Sequence, residues 1–159
     1  FCGFSDPALS EKGKQQARHM AEALKGYNFT RILVSPLQRA VETAEIATGY
    51  SAHEFELEPD FREMNFGAWE GLTYEQIMDT GGGYAGRWEA GKLKEDDRVL
   101  IVSHAGVIRS LLTEWLHGSM EGYWRYKIDN CGHAIVEFVD GYAVLVHLKS
   151  PFPAPERSF

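Results

Sequence analysis

One stretch constrains this chain more than any other: Arg98-Val99-Leu100-Ile101-Val102-Ser103-His104-Ala105-Gly106-Val107-Ile108-Arg109-Ser110-Leu111-Leu112. A run of branched apolar residues stops abruptly at Ser103-His104 and then resumes with helical spacing. That is the pattern of a buried strand, a tight turn and a helix. In open α/β sheets ligands bind in the crevice outside the carboxyl ends of the strands, so a histidine in this turn faces a site. Backbone N–H groups at the start of the helix, around Ala105 and Gly106, favour an anion at the same place. Two readings of His104 stand side by side here: a histidine working on a phosphate or carboxylate, and a histidine that caps the helix.

At 159 residues, 44% hydrophobic and 25% charged, the chain is long enough to bury a core and is expected to form one globular domain over 1–159. Its net charge of −7 argues against non-specific binding to nucleic acid or an anionic membrane, although a local basic pocket can still hold an anionic substrate. Cys2 and Cys131 are far apart and match no metal or redox spacing. A reduced, cytoplasmic protein is the simpler reading, and a disulfide stays open at this point. No apolar run among the 159 residues approaches the length of a membrane span, and no charged-then-apolar leader is expected.

Before the central stretch, Phe1-Cys2-Gly3-Phe4-Ser5-Asp6-Pro7 is turn chemistry, a loop. Ser10 then caps a helix in which Ala17, Met20, Ala21 and Leu24 share one face, ending near Gly26. Ile32-Leu33-Val34 reads as a short buried strand, and Ser35-Pro36 as the N-cap and first position of the next helix. Ala40, Thr43, Ala44 and Ala47 give that helix a small-residue face for a sheet. Arg39 stands in its first turn, where a cation is unfavourable unless an anion binds too; an ion pair with Glu42 or Glu45 is the alternative. A short strand at 56–58 leads to Phe61-Arg62-Glu63-Met64-Asn65-Phe66-Gly67-Ala68-Trp69-Glu70-Gly71-Leu72, an ordered loop packed by its own aromatics. A carboxyl enclosed there has its pKa raised by desolvation, as a general acid needs; the alternative is that Glu63 and Glu70 are surface acids or pair with Arg62.

Residues 73–78 make a short helix, Gly81-Gly82-Gly83 a flexible break, and 88–93 a weak helix interrupted by Gly91. Gly118 is the expected C-cap of the helix that follows His104. The segments 123–128, 134–139 and 142–148 alternate as strands closing one side of the sheet, with Asp140-Gly141 as a hairpin turn. Pro151, Pro153 and Pro155 mark an extended tail.

Taken in order, the Gly-aromatic-Ser-Asp loop, Ser35-Pro36 with Arg39, Glu63 before Phe66-Gly67-Ala68-Trp69-Glu70-Gly71, and Val102-Ser103-His104-Ala105-Gly106-Val107-Ile108-Arg109 form a specific series. From Gly3 to about Leu148 the chain resembles the histidine phosphatase superfamily, which includes the cofactor-dependent phosphoglycerate mutases. The resemblance implies a three-layer α/β/α sandwich with a mostly parallel central sheet and a two-step phosphoryl transfer through a phosphohistidine. It also implies that Arg39 binds phosphoryl oxygens bidentately and that Glu63 protonates the leaving group, then activates water. By the same resemblance His104 is the family's second histidine, a donor to the transferring group, with the Ala105 backbone N–H beside it. Gly3 and Ser5 match the substrate-contacting turn. The expected partner is a small phosphorylated metabolite, with no metal or cofactor, acting on a monomer or homodimer.

The chain departs from the family pattern in two places. The family's nucleophilic histidine belongs to an Arg-His-Gly motif at the end of the first, central strand, and no such motif occurs among the 159 residues. Arg18-His19-Met20 lies inside an amphipathic helix without a following glycine, and His53, His117, His133 and His147 lack the neighbours. The interval from Thr80 to Asp97 is also shorter than usual. The expectation is that the natural protein has further residues before Phe1 and within the glycine region.

A serine hydrolase centred on Ser103 fails because Ile101 is too bulky for a nucleophile elbow, and a metal site on His104 lacks a second ligand at the right spacing. Arg87, Lys92 and Lys94 are the only cations between the Glu63 and His104 motifs outside their flanks, too few for the basic insertion of a mutase. The phosphatase branch fits better, and the chain looks most like the α-ribazole-5′-phosphate phosphatases of cobalamin assembly. A phosphoglycerate mutase and a non-catalytic phosphate-ester-binding module are the alternatives.

Overall fold

The computed structural model describes residues 6–63 and 93–150. Three short strands, β1 (Arg31–Val34), β2 (Glu56–Leu57) and β3 (Val99–Val102), form a parallel sheet in the order β2-β1-β3. Leu33 lies opposite Glu56 on one side and Ile101 on the other, and Val34 opposite Leu57 and Val102. The α-helices among the described residues are α1 (Glu11–Ala23), α2 (Gln38–Thr48) and α3 (Ala105–His117).

Alternation along β1 and β3 divides the core in two, because successive strand side chains point to opposite faces. Ile32 and Val34 pack with Ala40, Ala44 and Phe55, joined by Leu100 and Val102. Leu33 packs with Phe61, Val107 and Leu111, joined by Val99, Ile101 and Trp115. Helix α2 therefore covers one face of the sheet and α3 the other, the expected three-layer α/β/α arrangement, with α1 laid against α2. Buried Ala40, Ala44 and Ala47 are what let α2 approach closely. Arg31 forks onto Glu56 across β1 and β2, Nε to Oε1 at 2.8 Å and Nη2 to Oε2 at 2.7 Å. The pair is half-exposed, so it fixes register more than it adds stability.

Local signals end the elements where the sequence places them. Ser10 Oγ accepts the Gly13 N–H at 3.1 Å and caps α1. Gly118 closes α3 at φ 65°, a left-handed conformation that glycine adopts without a Cβ penalty. Strands β4 (His133–Val139) and β5 (Tyr142–Lys149) pair antiparallel around Asp140 and Gly141, at φ 49° and 84°, the conformation of a type I′ turn.

Three expectations are corrected. Ser35 and Pro36 do not open α2; Leu37 is its N-cap, two residues later, because the Ser35 hydroxyl is engaged elsewhere. The alternating segment 123–128 is no strand. Met120–Arg125 is a 3-10 helix in which Tyr123 and Trp124 meet edge-on at 4.9 Å and Arg109 lies against both rings. Packing of large rings overrides the period-two pattern there. The hairpin β4–β5, expected to close one side of the sheet, is a separate two-stranded sheet among the described residues. It is joined to α3 through Trp115, edge-on to Phe138 at 5.3 Å.

Cys131 is a free, half-buried thiol whose pKa is raised by burial. No described helix is long and apolar enough to cross a membrane. The readings of the loop at 1–5, the aromatic loop beyond Glu63, the helices at 73–78 and 88–93, the glycine break and the proline tail lie outside the described residues.

Candidate active site

Ser35 directly follows β1, and Ser103-His104 directly follow β3. Because the two strands are parallel neighbours, the turns after them lie side by side, and Ser35 N–H donates to Val102 O at 2.9 Å. The Ser35 hydroxyl lies 2.8 Å from His104 Nε2, a contact between two buried side chains 69 positions apart. His104 occupies the N-cap position of α3, with its carbonyl accepting the Ile108 N–H at 2.9 Å, but its ring makes no capping bond. Of the two readings of His104, the side-chain cap is therefore excluded.

Burial, and after it the charge of Arg39, push the His104 pKa down to about 4, while Asp6 acts in the opposite direction. At neutral pH the ring is uncharged and offers one N–H. Arg39 stands in the first turn of α2, half-buried, at the end of the helix where backbone N–H groups carry positive charge. The carboxylates considered as its ion-pair partners accept backbone N–H groups: Glu42 from Leu9 at 3.2 Å and Glu45 from Ala52 at 3.1 Å. Asp6 Oδ1 accepts the Gln38 N–H at 2.7 Å, at the same end of α2.

The third expected residue is tied in through the backbone. Ser103 Oγ donates to Phe61 O at 2.8 Å, and the fully buried Phe61 ring anchors the 3-10 turn Pro59–Phe61. Glu63, half-buried, follows two residues later, so the chain that carries it is fastened to the turn that carries His104. Ala105 is the first residue of α3. Arg109, at the end of the motif, serves packing: its Nε donates to Tyr126 O at 2.8 Å. Gly3 and Ser5 lie outside the described residues, among which no group of three or more His, Cys, Asp or Glu is placed to hold a metal ion.

Sequence reasoning missed Ser35 and Asp6 as site residues. Ser35 had the same signal as Ser103-His104, a polar residue directly after a buried strand, but its following proline made a helix cap the more natural reading. Asp6 belonged to the Gly-aromatic-Ser-Asp loop, of which only Gly3 and Ser5 were assigned to the site.

A neutral imidazole, a guanidinium and the N-terminal ends of α2 and α3, neither capped by its own N-cap side chain, converge at the carboxyl edge of the sheet. Such a corner suits a tetrahedral oxyanion. The sequence pattern described as "Histidine phosphatase superfamily (branch 1)" matches residues 1–97 and 89–151. The chain belongs to the histidine phosphatase superfamily.

Its relatives agree. This histidine phosphatase is 33% identical over 135 residues to an uncharacterized phosphatase, PhoE, of Bacillus subtilis, which spans 75% of this chain and 70% of that protein. It is 25% identical over 176 residues to phosphoserine phosphatase 1 of Hydrogenobacter thermophilus, spanning 93% of this chain and 83% of the relative. Among solved structures, a putative α-ribazole-5′-P phosphatase of Escherichia coli superposes with a TM-score of 0.74 over 94% of this chain and 87% of that one, at 22% identity. That likeness speaks for the fold. With its phosphatase relatives, the family membership makes this chain a phosphatase.

Proposed function

We propose that this phosphatase hydrolyses the monoester of a small phosphorylated metabolite through a phosphohistidine formed on the histidine of the family's Arg-His-Gly motif, which these 159 residues do not include, with Arg39, Glu63 and His104 as the working side chains they supply. The observation that carries the reading is the buried His104, held neutral beside Arg39 at the carboxyl edge of a parallel sheet. Arg39 holds two phosphoryl oxygens in its planar fork. His104 and the Ala105 N–H donate to the oxygens that gain charge as the phosphoryl group transfers. When the ester P–O bond breaks, Glu63 gives its proton to the leaving oxygen; in the second step its carboxylate takes a proton from the attacking water. Gly3 and Ser5 contact the substrate.

The proposed substrate is α-ribazole 5′-phosphate. Support comes from the resemblance of the Glu63 and His104 motifs to that branch; phosphoserine is the competing substrate, supported by the relative of that name. Phosphate release from α-ribazole 5′-phosphate, phosphoserine and 3-phosphoglycerate by the full-length protein tests both levels. Preferential hydrolysis of α-ribazole 5′-phosphate is expected. Preference for phosphoserine overturns the substrate, isomerisation of 3-phosphoglycerate favours a mutase, and binding without release of phosphate leaves a non-catalytic module. Trapped enzyme should carry phosphate that is labile to acid and stable to base. Glu63→Gln should lower kcat on the order of 100-fold with little change in affinity for inorganic phosphate, and an unchanged kcat would remove Glu63 from the mechanism.

A further inference from the structure

The Ser35 hydroxyl has a role that neither the family resemblance nor the expected site residues assign. Ser35 is fully buried at the end of β1, with its Oγ 2.8 Å from His104 Nε2 and 3.4 Å from the Leu37 backbone N–H. A hydroxyl has one proton to give and two lone pairs, and a neutral imidazole has one N–H and one lone pair, so two arrangements fit the Ser35–His104 contact. In one, His104 Nε2–H donates to Ser35 Oγ. The oxygen then accepts from both Nε2 and Leu37 N, and the serine proton is buried with no other acceptor among the described residues. In the other, Ser35 Oγ accepts from Leu37 N–H and donates its proton to Nε2, so that the hydroxyl and Nε2 are both satisfied and Nδ1–H is left for a ligand. Buried polar groups strongly favour the satisfied arrangement.

We propose that Ser35 is a positioning residue: its hydroxyl donates to His104 Nε2, fixes the ring as the Nδ1–H tautomer, and so makes Nδ1–H the single proton His104 offers a phosphoryl oxygen. The depressed pKa supports this, since a ring that is neutral at working pH has only one proton to place. Among the charged groups that act on the ring, Arg39 from α2 opposes its protonation and Asp6 favours it. Neither selects between the two ring nitrogens by hydrogen bonding; Ser35 does. The role rests on the phosphoryl-transfer reading above, but the tautomer can be measured apart from it.

Long-range proton–nitrogen correlation spectra of the histidine-labelled full-length protein at pH 7 report which ring nitrogen of His104 is protonated. The expected wild-type result is a protonated Nδ1 and a bare Nε2, and a protonated Nε2 overturns the proposal without any variant. Ser35→Ala should mix or reverse the tautomers and lower kcat at least tenfold with KM nearly unchanged, while Ser35→Thr, which keeps the hydroxyl, should restore both. Equal kcat in Ser35→Ala and wild type, or a threonine variant no better than alanine, overturns the positioning role. An Nδ1–H ring in a protein that neither binds nor hydrolyses phosphate esters sinks the phosphatase reading and the role with it. An Nε2–H ring in an active phosphatase sinks the role alone.

Discussion

At His104 a ring that water would protonate near pH 6.5 is held neutral down to about 4, first by burial and then by Arg39. The unfolded chain takes up the proton earlier as pH falls, so its proton count exceeds that of the native state between those values. Stability tied to this residue is full above about pH 6.5 and is lost as pH drops towards 4, roughly 3 kcal/mol in all. Urea unfolding at pH 7 and pH 4.5 should show that loss in the wild type and a smaller one in His104→Gln; identical pH dependence would refute the assignment. Arg39 enters twice, as a charge on His104 and as the proposed holder of phosphate. Arg39→Ala should weaken binding of inorganic phosphate by about 2 kcal/mol, roughly thirtyfold, and let the His104 pKa rise. Calorimetry that finds the same affinity in both proteins would rule out the phosphate role.

Helices α2 and α3 have a property in common that sets them apart from α1. Ser10 spends its hydroxyl on capping α1, whereas the N-cap residues of α2 and α3, Leu37 and His104, give no side-chain bond to their helices. These two helices begin at the carboxyl ends of β1 and β3, so their N-terminal ends face the site, although in α2 the Gln38 N–H is taken by Asp6. Inside α3 there is a blemish of another kind: the hydroxyl of buried Thr113 has no hydrogen-bond partner among the described residues. Thr113→Val, nearly the same shape without the polar atom, should raise stability by about 1 kcal/mol. An unchanged or lower urea midpoint would mean that the hydroxyl is satisfied.

At the scale of the molecule, the parallel sheet separates two cores among the described residues, and Phe61 links one of them to the chemistry. Its ring is fully buried with Leu33, Val107 and Leu111, and its carbonyl holds Ser103 beside His104. Phe61→Ala should cost about 3–5 kcal/mol. Measured at a temperature where both proteins are folded, it should also lower kcat, because the tether that leads to Glu63 loses its anchor. A destabilised variant with wild-type kcat would show that the placement of Glu63 does not depend on this core.

The sequence by itself determined what depends on neighbours along the chain. The strand, turn and helix around His104, the Ser10 cap, the Gly118 stop and the Asp140-Gly141 hairpin follow from apolar period and from backbone preferences of single residues, which act within a few positions. The motif order also made the family legible. The tertiary structure alone decided that Ser35 meets His104 rather than capping α2, and that Ser103 reaches back to Phe61. It alone decided that 123–128 coils around Arg109 and that the hairpin stands apart from the parallel sheet. These contacts join residues tens of positions apart, and their energies depend on burial and on which polar groups remain to be satisfied once the strands have paired. No local pattern carries that information.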